Sequence, residues 1–121
     1  MLFRSVSQTS DPTGSWYVYG FDAIGNANDF LDYPLLGCNT NWVVITGNDF
    51  LSNGNTSGKI YVLERAGLYS GTLGTVHTFT DNNAFTIAPA HTFGTSQTTE
   101  YLVQDYNGNS DRKSTRLNSS H

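Results

Sequence analysis

The chain has 121 residues, 37% of them hydrophobic and only 13% charged, and its formal net charge is −4. This length fits one ordinary domain, and seven Phe, seven Tyr and two Trp supply apolar area for a core, which argues against charge-driven disorder. Residues 1–110 carry three cations and nine acids, so a net charge of −6 argues against nucleic-acid binding, and no apolar run is long enough for a membrane-spanning helix.

The predicted elements are short β-strands separated by turns rich in Gly, Asn, Asp and Ser. The first strand alternates, with Leu2, Arg4 and Val6 on one face, and the second places Tyr17, Tyr19 and Phe21 together. One short helical turn is predicted within residues 66–74. These patterns predict an all-β fold of short antiparallel strands, at 2–7, 15–21, 35–38, 42–47, 59–65, 75–80, 85–88 and 100–105.

The stretch from Asp32 to Phe50 predicts a central hairpin. Pro34 fixes its own φ and favours extended geometry at Tyr33, at the entrance to the first strand. The second strand begins at Trp42 with β-branched residues that are apolar enough for burial on both faces. Residues 47–49, Gly-Asn-Asp, are predicted to end it in a turn.

A short sequence that recurs along the chain helps to distinguish two possible all-β architectures. Residues 14–18 (Gly-Ser-Trp-Tyr-Val) and 58–62 (Gly-Lys-Ile-Tyr-Val) match at a spacing of 44. A period in the forties with about four strands per period is typical of β-propeller blades, whereas a β-sandwich predicts the strands without the recurrence. We therefore expect a partial β-propeller of about two to three blades over residues 1–110. Residues 35–79 would form one whole blade between parts of two others, and the open blade faces would make the chain prone to aggregation.

The last eleven residues, 111–121, differ from the rest. They match at every position the in-frame translation of a common sequencing adapter, and half of the six basic residues of the chain lie here. The match predicts an artefactual, disordered tail on a fragment whose true sequence continues past Ser110. The alternative is a basic extension that binds nucleic acid.

Polar residues near turns give two candidate sites. Oxygen ligands around Gly25 could hold Ca²⁺, although their spacing is not that of an EF-hand, and a solvated loop is the alternative. This candidate metal set is Asp22, Asn26, Asn28, Asp29 and Asp32. A candidate ligand-binding set is Asp32, Asp49 and Trp42, since two carboxylates and an aromatic ring suit a sugar. The alternative is that the acids cap turns and the ring packs in the core.

Three motifs in order carry a family resemblance: Ser10-Asp-Pro-Thr-Gly-Ser-Trp-Tyr17, Asp32-Tyr-Pro-Leu-Leu-Gly37, and the strand from Trp42 to Phe50. Together they resemble a segment of large bacterial secreted or cell-surface proteins with β-propeller, sialidase-like repeats, covering about residues 5–65. The resemblance implies an extracellular or cell-surface fragment that acts as a binding or structural module. Its implied partners are the remaining blades of the same chain and a carbohydrate or cell-surface ligand.

The alternative implied by the resemblance is part of an extracellular glycoside hydrolase whose catalytic residues lie mainly in other blades. A sialidase needs three arginines for the substrate carboxylate, and residues 1–110 contain only Arg4 and Arg65. We therefore expect no catalytic residues and no cofactor other than the candidate Ca²⁺ in this fragment.

Overall fold

The structure, a computed structural model, describes residues 1–105 and the backbone of residues 115–119. Within them, strands form three antiparallel sheets that follow one another along the chain. Sheet A is the hairpin of β1 (Leu2–Ser7) and β2 (Trp16–Phe21). Sheet B contains, in order, β3 (Phe30–Cys38), β4 (Trp42–Phe50), β5 (Thr56–Glu64) and β6 (His77–Asp81). Sheet C contains β7 (Ile87–Pro89), β8 (Tyr101–Asp105) and β9 (Thr115–Ser119). The prediction of an all-β fold of short antiparallel strands is confirmed.

Sheet B is the middle layer, and a separate hydrophobic cluster covers each of its faces. On the sheet A side, Tyr19 packs with Ile45, Tyr61 and Leu63. On the sheet C side, a second cluster contains Val44, Val62, Ala84, Ile87 and Leu102. Because successive residues of β4 belong to opposite clusters, the prediction that this strand is buried on both faces is confirmed.

The short helix α1 (Arg65–Tyr69) follows β5 directly, close to the predicted helical turn. Its buried residue Leu68 extends the cluster between sheets A and B. The carbonyl of Leu68 accepts a hydrogen bond of 2.6 Å from the Tyr19 hydroxyl, which fixes β2 against the helix. Among the described residues, no helix has the length and apolar character needed to cross a membrane.

The prediction of a turn at residues 47–49 is wrong. These residues lie inside β4, are buried, and pair with β3 on one side and β5 on the other. The chain reverses later, where the Leu51 amide donates to the Asn55 carbonyl and the Gly54 amide donates to the Leu51 carbonyl. Gly54 has φ of 86°, a conformation that glycine adopts without the steric penalty of other residues.

The extended geometry predicted at Tyr33 is also wrong, since its φ is 53°. Strand β3 begins at Phe30 rather than near residue 35, and its register with β4 shifts between Asp32 and Leu35. The Asp32 carboxylate accepts the Tyr33 amide at 2.7 Å. A β-bulge therefore holds Tyr33 in this conformation and lets the strand continue on both sides of the Tyr-Pro pair.

The two copies of the 44-residue recurrence lie in different settings, since β2 pairs with β1 alone while β5 pairs with both β4 and β6. Residues 16–18 of the first copy lie in β2 and residues 58–62 of the second lie in β5. Each is the second strand of an antiparallel hairpin, formed with β1 and with β4 respectively. Sheet B spans residues 30–81 and so contains the 35–79 segment predicted as one unit.

The backbone of β9 pairs with β8 in antiparallel register. This strand lies within the segment 111–121, for which a disordered tail stays a prediction. The rest of the predicted tail lies outside the described residues. The match to an adapter sequence concerns the origin of the segment and stays a prediction.

Candidate functional site

A cavity of about 690 Å³ opens between sheet A and the first three strands of sheet B, with α1 at one end. We call it the groove. Its wall on sheet B is made by residues of β3, β4 and β5 whose side chains face sheet A. These are Leu36, Cys38, Val43, Ile45 and Leu63. The opposite wall comes from β1 and β2, including Val6, Tyr19 and Phe21. The groove is therefore an apolar slot between two sheets.

Two arginines supply the charge of the groove. Arg4 lies on the inward face of β1 between Leu2 and Val6, and its partial burial lowers the pKa of the guanidinium. Arg65 lies at the start of α1, donates 2.6 Å to the Asn39 carbonyl, and places its guanidinium carbon 5.4 Å from the centre of the Tyr69 ring. The described residues that line the groove include no Asp or Glu.

The described lining of the groove contains no His, Lys, Asp or Glu, and its titratable side chains other than the two arginines are Tyr19, Tyr69 and Cys38. Cys38 is the one thiol of the chain and is half-buried. Its backbone joins sheets B and C, because its amide donates to the Ala90 carbonyl and its carbonyl accepts from the Thr92 amide. The lining therefore combines apolar side chains with two cations, which suits apolar or acidic groups.

The predicted Ca²⁺ ligands lie on the loop after β2 and on β3. Asp22, Asn26 and Asp29 border one surface pocket, while Asn28 and Asp32 are not among its lining residues. The Asp22 carboxylate accepts the amides of Ile24 and Gly25, and these hydrogen bonds hold its pKa below the usual value. Among the described residues, no three His, Cys, Asp or Glu side chains group closely enough to hold a metal ion.

The remaining members of the metal set also bond to nearby backbone. Asn26 accepts the Asn28 amide at 3.1 Å, and Asp29 accepts the Ser52 amide at 2.7 Å. The carboxylate of Asp32 holds the bulge at Tyr33. In these contacts the side chains stabilise their own loops and the bulge. Their role as Ca²⁺ ligands stays a prediction.

The three predicted ligand-binding residues do not converge. Asp32 pairs with Asn48 in the β3–β4 register and is exposed. Asp49 is one residue further along β4, so it faces the other side of the sheet, where it is buried and lies 3.4 Å from the Lys59 ammonium. Trp42 is at the opposite end of β4 and packs beside Val44 and Val62. The sequence placed these residues near one hairpin, but strand alternation and strand length separate them.

An aromatic group that the sequence analysis missed lies beside Asp32. The Phe30 and Phe50 rings stack with centroids 4.7 Å apart, and Phe85 meets Phe50 edge to face at 6.1 Å. Phe30 is 56% exposed and Phe85 is 48% exposed. We call these three residues the aromatic platform. The sequence alone could not predict the platform, because Phe30 and Phe50 are brought together only by the β3–β4 register.

Two hydrogen bonds between Asn48 and Thr86, which we call the clamp, hold the backbone next to Phe85 of the platform. The Asn48 side chain donates 3.1 Å to the Thr86 hydroxyl and accepts the Thr86 amide at 2.7 Å. Thr86 has φ of 57°, a conformation that is uncommon for a β-branched residue. The two hydrogen bonds of the clamp therefore stabilise this backbone conformation beside Phe85.

Comparisons with protein-family models, with curated proteins and with solved structures find no match to this chain.

Proposed function

We propose that the chain is a non-catalytic binding or structural module of the β-propeller type, in which successive sheets pack face to face in chain order. One observation carries the proposal: the two outer sheets have apolar residues on their outward faces. On sheet A, Phe3 is 59% exposed and Val18 is 69% exposed. On sheet C, Tyr101 is 40% exposed and Val103 is 38% exposed. The outward faces of a two-sheet sandwich carry mainly polar residues, whereas stacked blades need apolar residues on every face that meets a neighbour.

The junction between sheets B and C also supports stacking of the propeller type. Strands β3 and β7, the first strands of their sheets, contact each other, and Cys38 forms a parallel bridge with His91 beyond the end of β7. In a propeller, the first strands of neighbouring blades run side by side around the axis. The Thr46 hydroxyl donates 2.6 Å to the Ile87 carbonyl and holds the same two sheets together further along.

The ligand we propose is a carbohydrate on the aromatic platform. Exposed aromatic rings stack on sugar faces, and the Asp32 carboxylate, on the same face of β3 as Phe30, would accept hydroxyl hydrogen bonds. An extracellular or cell-surface location and a bacterial source rest on the motif resemblance. Among the described residues, nothing in the groove or on the platform favours the hydrolase alternative.

The stacking proposal is tested by measuring self-association. Size-exclusion chromatography with light scattering should show association of the chain that increases with concentration, because the outward faces are apolar. Val18→Glu should reduce it. The matched control is Thr78→Glu, which adds the same charge on an exposed polar side chain of β6. A wild-type chain that stays monomeric at high concentration and binds no hydrophobic dye would refute the proposal.

The carbohydrate proposal is tested separately on a glycan array. Phe85→Ala should abolish any binding that the wild-type chain shows, because it removes an exposed ring of the platform. Phe93→Ala is the control, since Phe93 is 96% exposed but is not part of the platform. Binding that survives Phe85→Ala, or is lost equally in both variants, would rule out the platform as the sugar site.

A further inference from the structure

The aromatic platform presents two exposed rings at nearly right angles. Phe30 is parallel to Phe50 within 6°, and Phe85 is inclined to Phe50 by 89°. Because one face of Phe30 stacks on Phe50, the opposite face is the one available to a ligand. The face of an aromatic ring attracts a cation as well as the C–H groups of a sugar. The rings alone therefore accept either a neutral or a positively charged sugar.

A carboxylate lies beside the exposed ring of Phe30. Asp32 follows Phe30 by two positions, and both pair with β4 before the bulge, so their side chains lie on the same face of β3. Two residues along a strand span about 7 Å, which places the carboxylate at the margin of a sugar stacked on Phe30. Asp32 is exposed, accepts the Tyr33 amide at 2.7 Å, and forms no ion pair among the described residues. One pyranose unit can therefore contact both the ring and the charge.

The described cationic side chains lie away from the platform. The platform is at the end of sheet B where β3 begins and β4 ends. Arg65 follows β5 at the opposite end of that sheet, and Arg4 lies on sheet A in the groove. Lys59 lies 3.4 Å from the Asp49 carboxylate, on the face of sheet B opposite to the platform. A positively charged ligand therefore meets no repulsion from these three side chains.

Two further acids lie at the same end of sheet B. Asp29 directly precedes β3, and Asp81 ends β6 opposite the start of β5. Each carboxylate accepts one nearby backbone amide, from Ser52 and Asn83 respectively. Their charges add to that of Asp32, although salt screens them with distance. This end of the sheet is therefore acidic and complements a cation.

We propose that the platform binds amino sugars, that is, hexosamine units with a free, protonated amine. The inference rests on the carbohydrate proposal above and narrows it to one chemical class. The C–H face of the sugar stacks on Phe30, the ammonium group donates to the Asp32 carboxylate, and Phe85 supplies a second ring to the same ligand. The ammonium group adds an ion pair that an acetamide or a hydroxyl group cannot form.

A metal ion and a lysine-rich peptide are the alternative cations. Among the described residues, no three His, Cys, Asp or Glu side chains group closely enough to hold a metal ion, and Asp32 alone gives too few oxygen ligands for Ca²⁺. A lysine side chain would pair with the carboxylate, but it has no flat C–H face for the rings and loses rotamer entropy when bound. The rings and the carboxylate together therefore favour a sugar.

The first experiment compares three sugars on the unchanged chain. The probes are β-linked tetramers of glucosamine, N-acetylglucosamine and glucose, which differ only in the group on the second carbon of each ring. Binding is followed by ligand-observed NMR at about pH 6, where an amine of this type is protonated. The glucosamine tetramer should bind roughly three- to tenfold more tightly than the other two, because an ion pair and a cation–π contact are each modest at an exposed site. The difference should shrink at about 0.5 M salt.

Two variants assign the preference to Asp32. Asp32→Asn should bring the three tetramers to the same affinity with the neutral sugars still bound, because the amide oxygen can still accept the Tyr33 amide. The matched control is Asp11→Asn, since Asp11 is also exposed and accepts a nearby backbone amide, that of Thr13, at 2.9 Å. This control removes the same charge far from the platform and should leave the preference unchanged. Circular dichroism and a thermal melt confirm that both variants are folded.

The outcomes separate this inference from the carbohydrate proposal. If the three tetramers bind equally well, or if the preference persists in Asp32→Asn, the amino-sugar inference is wrong and the carbohydrate proposal is unaffected. An equal loss of preference in Asp11→Asn, or equally tight binding of a tetralysine peptide, would also overturn the inference, since either result indicates general attraction of cations to an acidic chain. If no tetramer binds at about 10 mM, the inference is overturned, and the glycan array alone decides the carbohydrate proposal.

Discussion

Gly37→Ala tests the contact that joins sheets B and C. A methyl group added at Gly37 would come within 2.6 Å of the Pro89 Cβ and 2.8 Å of the Pro89 carbonyl carbon, and it would meet the Ala90 carbonyl oxygen still more closely. These are rigid backbone and ring atoms of the segment that bridges to β3, so the segment must move. The Cys38 amide and carbonyl bond to that same segment.

The expected loss can be estimated from packing. Inserting a methyl group into a tight contact typically costs 1–3 kcal/mol, so we expect a loss of about 2 kcal/mol in the free energy of unfolding. For a domain of this size the midpoint of thermal unfolding should then fall by roughly 10 °C. Gly20→Ala is the matched control, because there the added methyl would crowd only side-chain atoms: the ring of Phe3, which is 59% exposed and can rotate away, and at an ordinary contact distance of 3.6 Å the Met1 sulfur.

The assay is chemical denaturation combined with the reactivity of the Cys38 thiol. Cys38 is half-buried at the junction and is the one cysteine of the chain, so opening of the junction should raise its reaction rate with a thiol reagent. We expect Gly37→Ala to lower the stability and raise the rate, and Gly20→Ala to change neither by much. If Gly37→Ala unfolds at the wild-type midpoint with an unchanged thiol rate, the close approach of the two sheets is refuted.

Two further variants test buried polar groups. Glu100→Gln should stabilise the protein at pH 7, because burial raises the pKa of this carboxyl more than its approach to the Ala90 backbone lowers it. The Ala90 amide donates to the Tyr101 carbonyl, and neither Glu100 oxygen has a hydrogen-bond partner of good geometry among the described residues. A raised pKa gives stability at low pH that is lost as the pH rises, so the advantage of Gln should vanish below about pH 4. The exposed Glu64→Gln is the control, and an equal effect at both positions would contradict this reasoning. Tyr61→Phe should cost about 1 kcal/mol, because the buried hydroxyl donates to the Ala23 carbonyl. Burial, with the charges of Asp49 and Asp22, raises the pKa of Tyr61 to about 12. The stability that the protonated hydroxyl contributes should therefore be lost as the pH rises from about 10 toward 12 in the wild type but not in Tyr61→Phe. The control is Tyr33→Phe at an exposed position, which should behave as the wild type.

Local sequence pattern was sufficient to identify the strands and their faces. The alternation of Leu2, Arg4 and Val6 follows from the two-residue period of a strand, and these three residues do share one face of β1. The unbroken apolar run at Val43, Val44 and Ile45 predicted burial on both sides, which sheets A and C provide. Such patterns are local, so they can be read without knowing which elements meet.

The turn and the bulge in the central hairpin needed more than pattern. Gly47, Asn48 and Asp49 have the composition of a turn, but two partner strands hold them in β4 and a later Ser-Asn-Gly segment makes the reversal. Tyr33 adopts a positive φ because β3 pairs with β4 on both sides of the bulge. In both places tertiary pairing overrode local preference.

An all-β chain, the positions of most strands and the residues that share a strand face could be read from local pattern, because side-chain alternation and turn chemistry act over a few neighbouring residues. Which strands pair and which sheets meet is visible only in the folded chain. The groove with Arg4 and Arg65, and the aromatic platform, join residues from distant parts of the chain. Their existence depends on strand register and sheet packing, which are set by contacts that no short stretch of sequence contains.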